Sequence, residues 1–195
     1  MKRHSLLVLT VGSVLVLGGP TVAWCTVSGF EKHGAGASDC MVELWMTLEA
    51  TPTGYHNLVG DGESAGDFFL MLYLTGDRRI RAHFSPAGAP VSIDSNRQLQ
   101  VGDMVYVVAT WDRSLGSDNA AVYIDPYRDR LATVSTAAPT NTDNTVYLGR
   151  DDREPGGDFI LDEVTVYDYP LSEEQIRDHF GLAEVPVTLQ SFGVD

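Results

Sequence analysis

Residues 41–49, MVELWMTLE, alternate along the chain. Val42, Leu44, Met46 and Leu48 fall on one side of an extended strand, and Glu43, Trp45, Thr47 and Glu49 on the other. The same period of two returns in RRIRAHFSP (78–86), where Ile80, Ala82 and Phe84 oppose Arg79, Arg81 and His83. DFFLMLYLTGD (67–77) is an unbroken apolar run, which predicts a strand buried on both faces or nearly so. VGDMVYVVATWD (101–112) and AAVYIDP (120–126) predict neighbouring strands joined by SLGSDN. YHNLVGDG (55–62), TVYLGRD (145–151) and DFILDEVTVYD (158–168) extend the series. About ten short strands with turn residues between them predict an all-β, antiparallel sandwich.

One segment breaks that period. Ser172 stands where a helix cap belongs, and Gln175, three residues on, completes a capping box. Leu171 and Ile176 occupy the two hydrophobic-staple positions. Glu173 and Glu174 lie in the positive first turn, His179 in the last, and Gly181 just beyond. Ile176 and Phe180 form an apolar stripe, so this short helix is expected to dock on the sandwich.

Composition narrows the setting. The 195 residues suit one domain with a sizeable core. Asp and Glu number 27 against 13 Lys and Arg, for a formal charge of −14. That excess argues against nucleic acid and anionic lipid as partners, and it is compatible with divalent cations. Lys2 and Arg3 precede an apolar run, Ser5 to Leu17, and small residues end at Ala23. Residues 1–23 therefore read as a signal peptide, with an uncleaved anchor helix as the competing reading. The protein is expected to be secreted or displayed at the cell surface, without membrane insertion after cleavage. Residues 24–182 would form the sandwich domain, and 183–195 a tail or the start of a following segment. Cys25 and Cys40 are the only cysteines, and export predicts a disulfide between them, two unpaired thiols being the alternative. Such a bond would close a loop of about 15 residues, worth about 3 kcal/mol.

Five motifs in order carry a resemblance: VYVVATWD followed by VYIDP, then YLGRD, LDEVTVY and LSEEQI. With the early strand VELWMTLE, they make the chain similar to the laminin-G-like, concanavalin-A-like lectin and glucanase family, over about residues 39–182. The resemblance implies a jelly roll of two curved antiparallel sheets with one short C-terminal helix. It also implies an extracellular setting and a carbohydrate or protein ligand, often with calcium. Two departures stand out. The family's Asp-Gly turn is Asp125-Pro126 here, and proline cannot supply glycine's positive φ, so that loop should differ. The family's Trp-His-His stretch is Met104-Val105-Tyr106.

The candidate chemistry lies in acids and aromatic rings. Strict alternation sends the neighbours Asp162 and Glu163 to opposite faces, so they cannot meet on one bond. It also puts Asp162 with Ile160, Val164 and Val166, where a carboxylate needs a partner or an ion. Ca²⁺ would take Asp162 together with Asp61, Asp67 and Asp158 from acidic loops that also hold Asp151 and Asp152. Trp45, Tyr73 and Trp111, with Tyr106 beside them and Glu43 as a hydroxyl acceptor, could form a sugar platform. The competing reading is that these rings fill the core. The loops 60–67, 113–119 and 151–158 would form its rim. His33, His56, His83 and His179 are scattered and read as surface or capping residues. No Gly-x-Ser-x-Gly, phosphate loop or Cys-x-x-Cys is present, so no catalytic residue is assigned. The expected function is non-catalytic recognition of a glycan or an extracellular protein, with calcium assisting in the sense above. A glycoside hydrolase or polysaccharide lyase, and a structural accessory domain, are the alternatives.

Overall fold

A computed structural model describes residues 25–27, 39–60, 70–86, 90–137, 146–149, 159–167 and 169–182. The signal segment, the tail and the loops 61–67 and 151–158 lie outside these residues. Eleven strands and one helix follow in order: β1 (Cys25–Val27), β2 (Asp39–Leu48), β3 (His56–Gly60), β4 (Leu70–Leu74), β5 (Ile80–Phe84), β6 (Val91–Asp94), β7 (Met104–Asp112), β8 (Ala120–Ile124), β9 (Tyr127–Ala132), β10 (Val146–Leu148), β11 (Phe159–Tyr167) and α1 (Glu173–Leu182). They form a six-stranded sheet, β1-β10-β3-β4-β5-β6, and a five-stranded sheet, β11-β2-β7-β8-β9, with every pair antiparallel. This is the expected jelly-roll sandwich.

The apolar sets read from alternation become the core. Val42, Leu44, Met46 and Leu48 of β2 meet Leu70, Leu72 and Leu74 of β4 and Ile80, Ala82 and Phe84 of β5 in one buried cluster. Each of these side chains larger than alanine contributes about 1.5–3 kcal/mol when fully withdrawn from water. Phe84 and Trp111 meet across the two sheets, with ring centroids 5.7 Å apart.

Turn chemistry agrees with the residues that supply it. The β8–β9 connection is a two-residue hairpin, because Ile124 pairs directly with Tyr127. The left-handed backbone (φ 58°) falls on Asp125 and not on Pro126, which stands in the place of the family's glycine, so the turn differs from the family's as expected. The Asp125 carboxylate accepts from the Arg97 guanidinium at 2.6 Å, which fastens the loop after β6 to the opposite sheet. Gly149, after β10, sits at φ 72°, and its N–H donates to the Leu58 carbonyl at 2.8 Å. A side chain there would meet strain that glycine avoids.

The helix forms as its cap predicts. The Gln175 N–H donates to Ser172 Oγ at 3.2 Å, and the Ser172 N–H donates back to Gln175 Oε1 at 2.9 Å. Leu171 and Ile176 are buried in a second apolar cluster with Met41, Trp45, Tyr106, Val108, Ala121, Tyr123 and Tyr167. The helix thus lies on the outer face of the five-stranded sheet.

Candidate functional site

Two outer faces carry the polar chemistry. On the five-stranded sheet, Glu43 points away from the core and yet is only 7% exposed. Its carboxylate accepts from three side chains on three other elements. Tyr106 of β7 donates its hydroxyl to Oε2, and Tyr167 of β11 donates to Oε1 at 2.5 Å. His179 of α1 places Nδ1 at 3.1 Å from Oε2 and 3.3 Å from Oε1. Beside this knot the Phe180 ring stacks on Trp45, with centroids 5.5 Å apart and planes 21° apart. A buried carboxylate is costly unless it is fully hydrogen-bonded, and this one is bonded at both oxygens.

Burial, and then the Glu43 carboxylate, push both tyrosine hydroxyls well above their usual range. They stay protonated and act as donors, whereas a phenolic base or nucleophile requires the opposite shift. The knot therefore works as a fastening for the helix.

The acids at 162–163 have a different arrangement from the one strict alternation predicts. Register with β2 slips between Asp162 and Thr165, and Glu163 takes a positive φ of 50°. Glu163 is the extra residue of a β-bulge. Before it, Phe159 and Leu161 face the core; after it, Val164 and Val166 do. Asp162 consequently lies opposite Trp45 on the outer face, and not with Val164 and Val166. One inserted residue reverses every later side chain. Asp162 is half-buried, and its Oδ1 accepts the Glu163 N–H at 2.9 Å. Burial, then Asp162 and Glu43, raise the Glu163 carboxyl above the usual carboxylate range.

The outer face of the six-stranded sheet presents another group. Tyr73 of β4, Arg81 of β5 and Asp94 of β6 are direct cross-strand neighbours. With strands about 4.8 Å apart, this row spans about 10 Å. Arg81 and Asp94 form a two-armed ion pair, Nε to Oδ1 at 2.5 Å and Nη2 to Oδ2 at 2.8 Å. Asp94 holds the guanidinium cationic by raising its pKa further. Arg81 also donates from Nη1 to Tyr55 Oη at 3.0 Å and lies 4.9 Å from that ring's centroid. Tyr55 is 45% exposed, and its ring meets Tyr73 edge-on at 6.4 Å. In the adjoining row His83 Nδ1 lies 3.1 Å from Ser92 Oγ.

The expected aromatic platform is thus divided among three places. Trp45 and Glu43 lie under the helix, at 9% and 7% exposure. Trp111 is in the core at 0% exposure, on the opposite face of β7 from Tyr106. Those two residues are five positions apart, and an odd spacing on a strand sends side chains to opposite faces. Tyr73 alone among the expected residues lies in the half-exposed row of the other sheet. Tyr55, Arg81 and Asp94 were not among the expected binding residues, although alternation over 78–86 sets Arg81 on the polar side of its strand. His179, expected to be a surface or capping residue, instead reaches Glu43. Of the loops expected to form a rim, 113–119 is described and is exposed around Leu115.

Of the expected metal ligands, Asp61, Asp67 and Asp158 lie outside the described residues. Among the described residues no set of three or more His, Cys, Asp or Glu is arranged to hold a metal. Asp162 itself is on the outer face, with Oδ1 accepting the Glu163 N–H. Cys40 is buried in the core on β2, and of Cys25 only its place in β1 is described.

The family model for the concanavalin A-like lectin/glucanases superfamily matches residues 26–177. The chain belongs to this superfamily. Several solved structures share the fold at low identity. The receptor binding domain of botulinum neurotoxin D aligns with a TM-score of 0.61 and 12% identity, covering 81% of this chain and 40% of that one. The botulinum neurotoxin serotype D ligand binding domain in complex with N-acetylneuraminic acid aligns at 0.57 and 13%, covering 74% and 36%. A Trypanosoma rangeli sialidase in complex with a difluorinated keto-deoxy-nononic acid aligns at 0.54 and 18%, covering 74% and 23%. This superfamily member therefore spans less than half of each of those structures. No curated protein sequence matches the chain.

Proposed function

We propose that the protein is a non-catalytic recognition module that binds carbohydrate outside the cell through the outer face of its six-stranded sheet. The carrying observation is the Tyr73–Arg81–Asp94 row with Tyr55 beside it. A sugar offers an apolar ring face and a fringe of hydroxyls. Tyr55 supplies exposed aromatic surface, and the ion pair supplies donors and acceptors held in place by strands. The sialic acid complex of the botulinum domain, which shares the fold, agrees with this reading.

The enclosure of Glu43 favours binding over hydrolysis. Both of its oxygens are taken by protein donors, and its tyrosines are held protonated. Titration calorimetry against an oligosaccharide panel tests the proposal. Binding that weakens about 10-fold in Tyr55→Ala, without a change in melting temperature, is expected, since losing a stacked ring costs on the order of 1 kcal/mol or more. Sugar release by the wild-type protein, lost in Glu43→Gln, would establish the hydrolase reading in its place. A protein partner captured without any glycan binding would favour the accessory role.

Export also suits the cysteines. Cys40 lies on the five-stranded sheet and β1, which carries Cys25, on the six-stranded one, so a bond between them would tie the two sheets. Intact mass before and after reduction reads it directly, a difference of about 2 Da marking one disulfide.

A further inference from the structure

We infer that the sugar recognised at the Tyr55–Arg81–Asp94 face is neutral, presenting two adjacent hydroxyls to the Arg81–Asp94 pair. This inference rests on the carbohydrate reading above and names the class of ligand for the same site.

The state of Arg81 carries the inference. A guanidinium has five N–H donors. Three are engaged here, two by Asp94 and one by the Tyr55 hydroxyl. Two N–H groups remain, beside carboxylate oxygens that keep lone pairs. The Asp94 side chain is 39% exposed, so those lone pairs are within reach of solvent. Adjacent sugar hydroxyls fit this arrangement, because one hydroxyl can accept from Arg81 while its neighbour donates to Asp94. The pair is preorganised by direct cross-strand register and costs no rearrangement on binding.

An anionic sugar meets the reverse situation. Its carboxylate would seek the two-armed fork of Arg81, and Asp94 already fills that fork. Displacing Asp94 would leave two carboxylates beside one guanidinium. Arg79, two residues earlier, is likewise committed, to Asp77 at 3.1 Å and to the Ser95 carbonyl at 2.7 Å. The formal charge of −14 further opposes an anionic ligand at long range. The sialylated ligand of the botulinum domain is thus not the class that this face is built to take.

The experiment compares neutral hexose and N-acetylhexosamine oligosaccharides with sialylated and uronate-bearing counterparts, using the full protein and Asp94→Asn. Wild-type protein is expected to bind the neutral members at least 10-fold more tightly. That binding should hold between about 0.1 and 1 M salt, where screening shortens from about 10 to about 3 Å. Asp94→Asn releases the Arg81 fork, and should narrow or reverse the preference. Salt-sensitive binding of acidic sugars by the wild type, in preference to neutral ones, would overturn the neutral class and leave carbohydrate recognition standing. No binding of either class would overturn carbohydrate recognition itself. Neutral binding undiminished in the Tyr55→Ala, Arg81→Ala double variant would overturn the assignment to this face.

Discussion

The outer faces of the two sheets hold similar ingredients and use them in opposite ways. Each has aromatic rings, a carboxylate and a histidine. On the five-stranded sheet they are sealed: Glu43 is enclosed by Tyr106, Tyr167 and His179, and Phe180 covers Trp45. On the six-stranded sheet Tyr55, Arg81 and Asp94 are partnered among themselves and still half-open to water. The difference is the helix. Where α1 docks, polar chemistry serves folding, because every donor must find its acceptor inside the protein. Where no described element covers the sheet, the same chemistry keeps capacity for a ligand.

Glu43→Ala should break that comparison most severely. It leaves two tyrosine hydroxyls and a histidine without their acceptor, and should cost about 3 kcal/mol. At this chain length that corresponds to a fall of roughly 10 °C in melting temperature, readable by calorimetry. Glu43→Gln, which keeps an acceptor oxygen, should lose less. Glycan affinity measured well below the transition should change in neither variant.

Alkaline pH probes the same knot with a smaller effect. Both tyrosines are raised when folded. Their contribution is therefore complete below the unfolded value of about 10 and erodes as pH climbs above it. The melting temperature should fall above about pH 10, and Tyr106→Phe and Tyr167→Phe should each flatten that fall. Phenolate absorbance during an alkaline titration should show that these two rings ionise only on unfolding.

The opposite face should respond in the opposite sense. Tyr55→Ala should leave stability within about 0.5 kcal/mol, since the ring is exposed, and its loss should register in binding instead. The smallest effect is expected at the bulge. Asp162→Asn should shift stability by less than about 0.5 kcal/mol, and should leave the response of the melting temperature to millimolar calcium unchanged.

Much of the fold was legible because period-two patterning and burial are the same fact seen twice. The alternating residues of β2 and β5 entered the core as read, and Ser172 and Gln175 closed their box. The site was legible only in pieces. Glu43 and Trp45 were assigned correctly to the polar side of β2, but nothing local indicates that a helix 130 residues later will cover that side. Asp162 was misplaced by one bulge residue, since a lone Glu at positive φ leaves no mark in the alternation preceding it. Trp111 was grouped with Tyr106 although their spacing is odd, an error that parity alone could have prevented.

By itself, then, the sequence determined which positions are apolar, where the chain turns and where the helix starts, because these depend on neighbours a few residues apart. Only the tertiary structure decided which polar face is sealed and which is open. Pairing β4, β5 and β6 set Tyr73, Arg81 and Asp94 in one row, and docking α1 closed over Glu43. Both depend on segments far apart in the chain, whose meeting is fixed by global packing and by no local pattern.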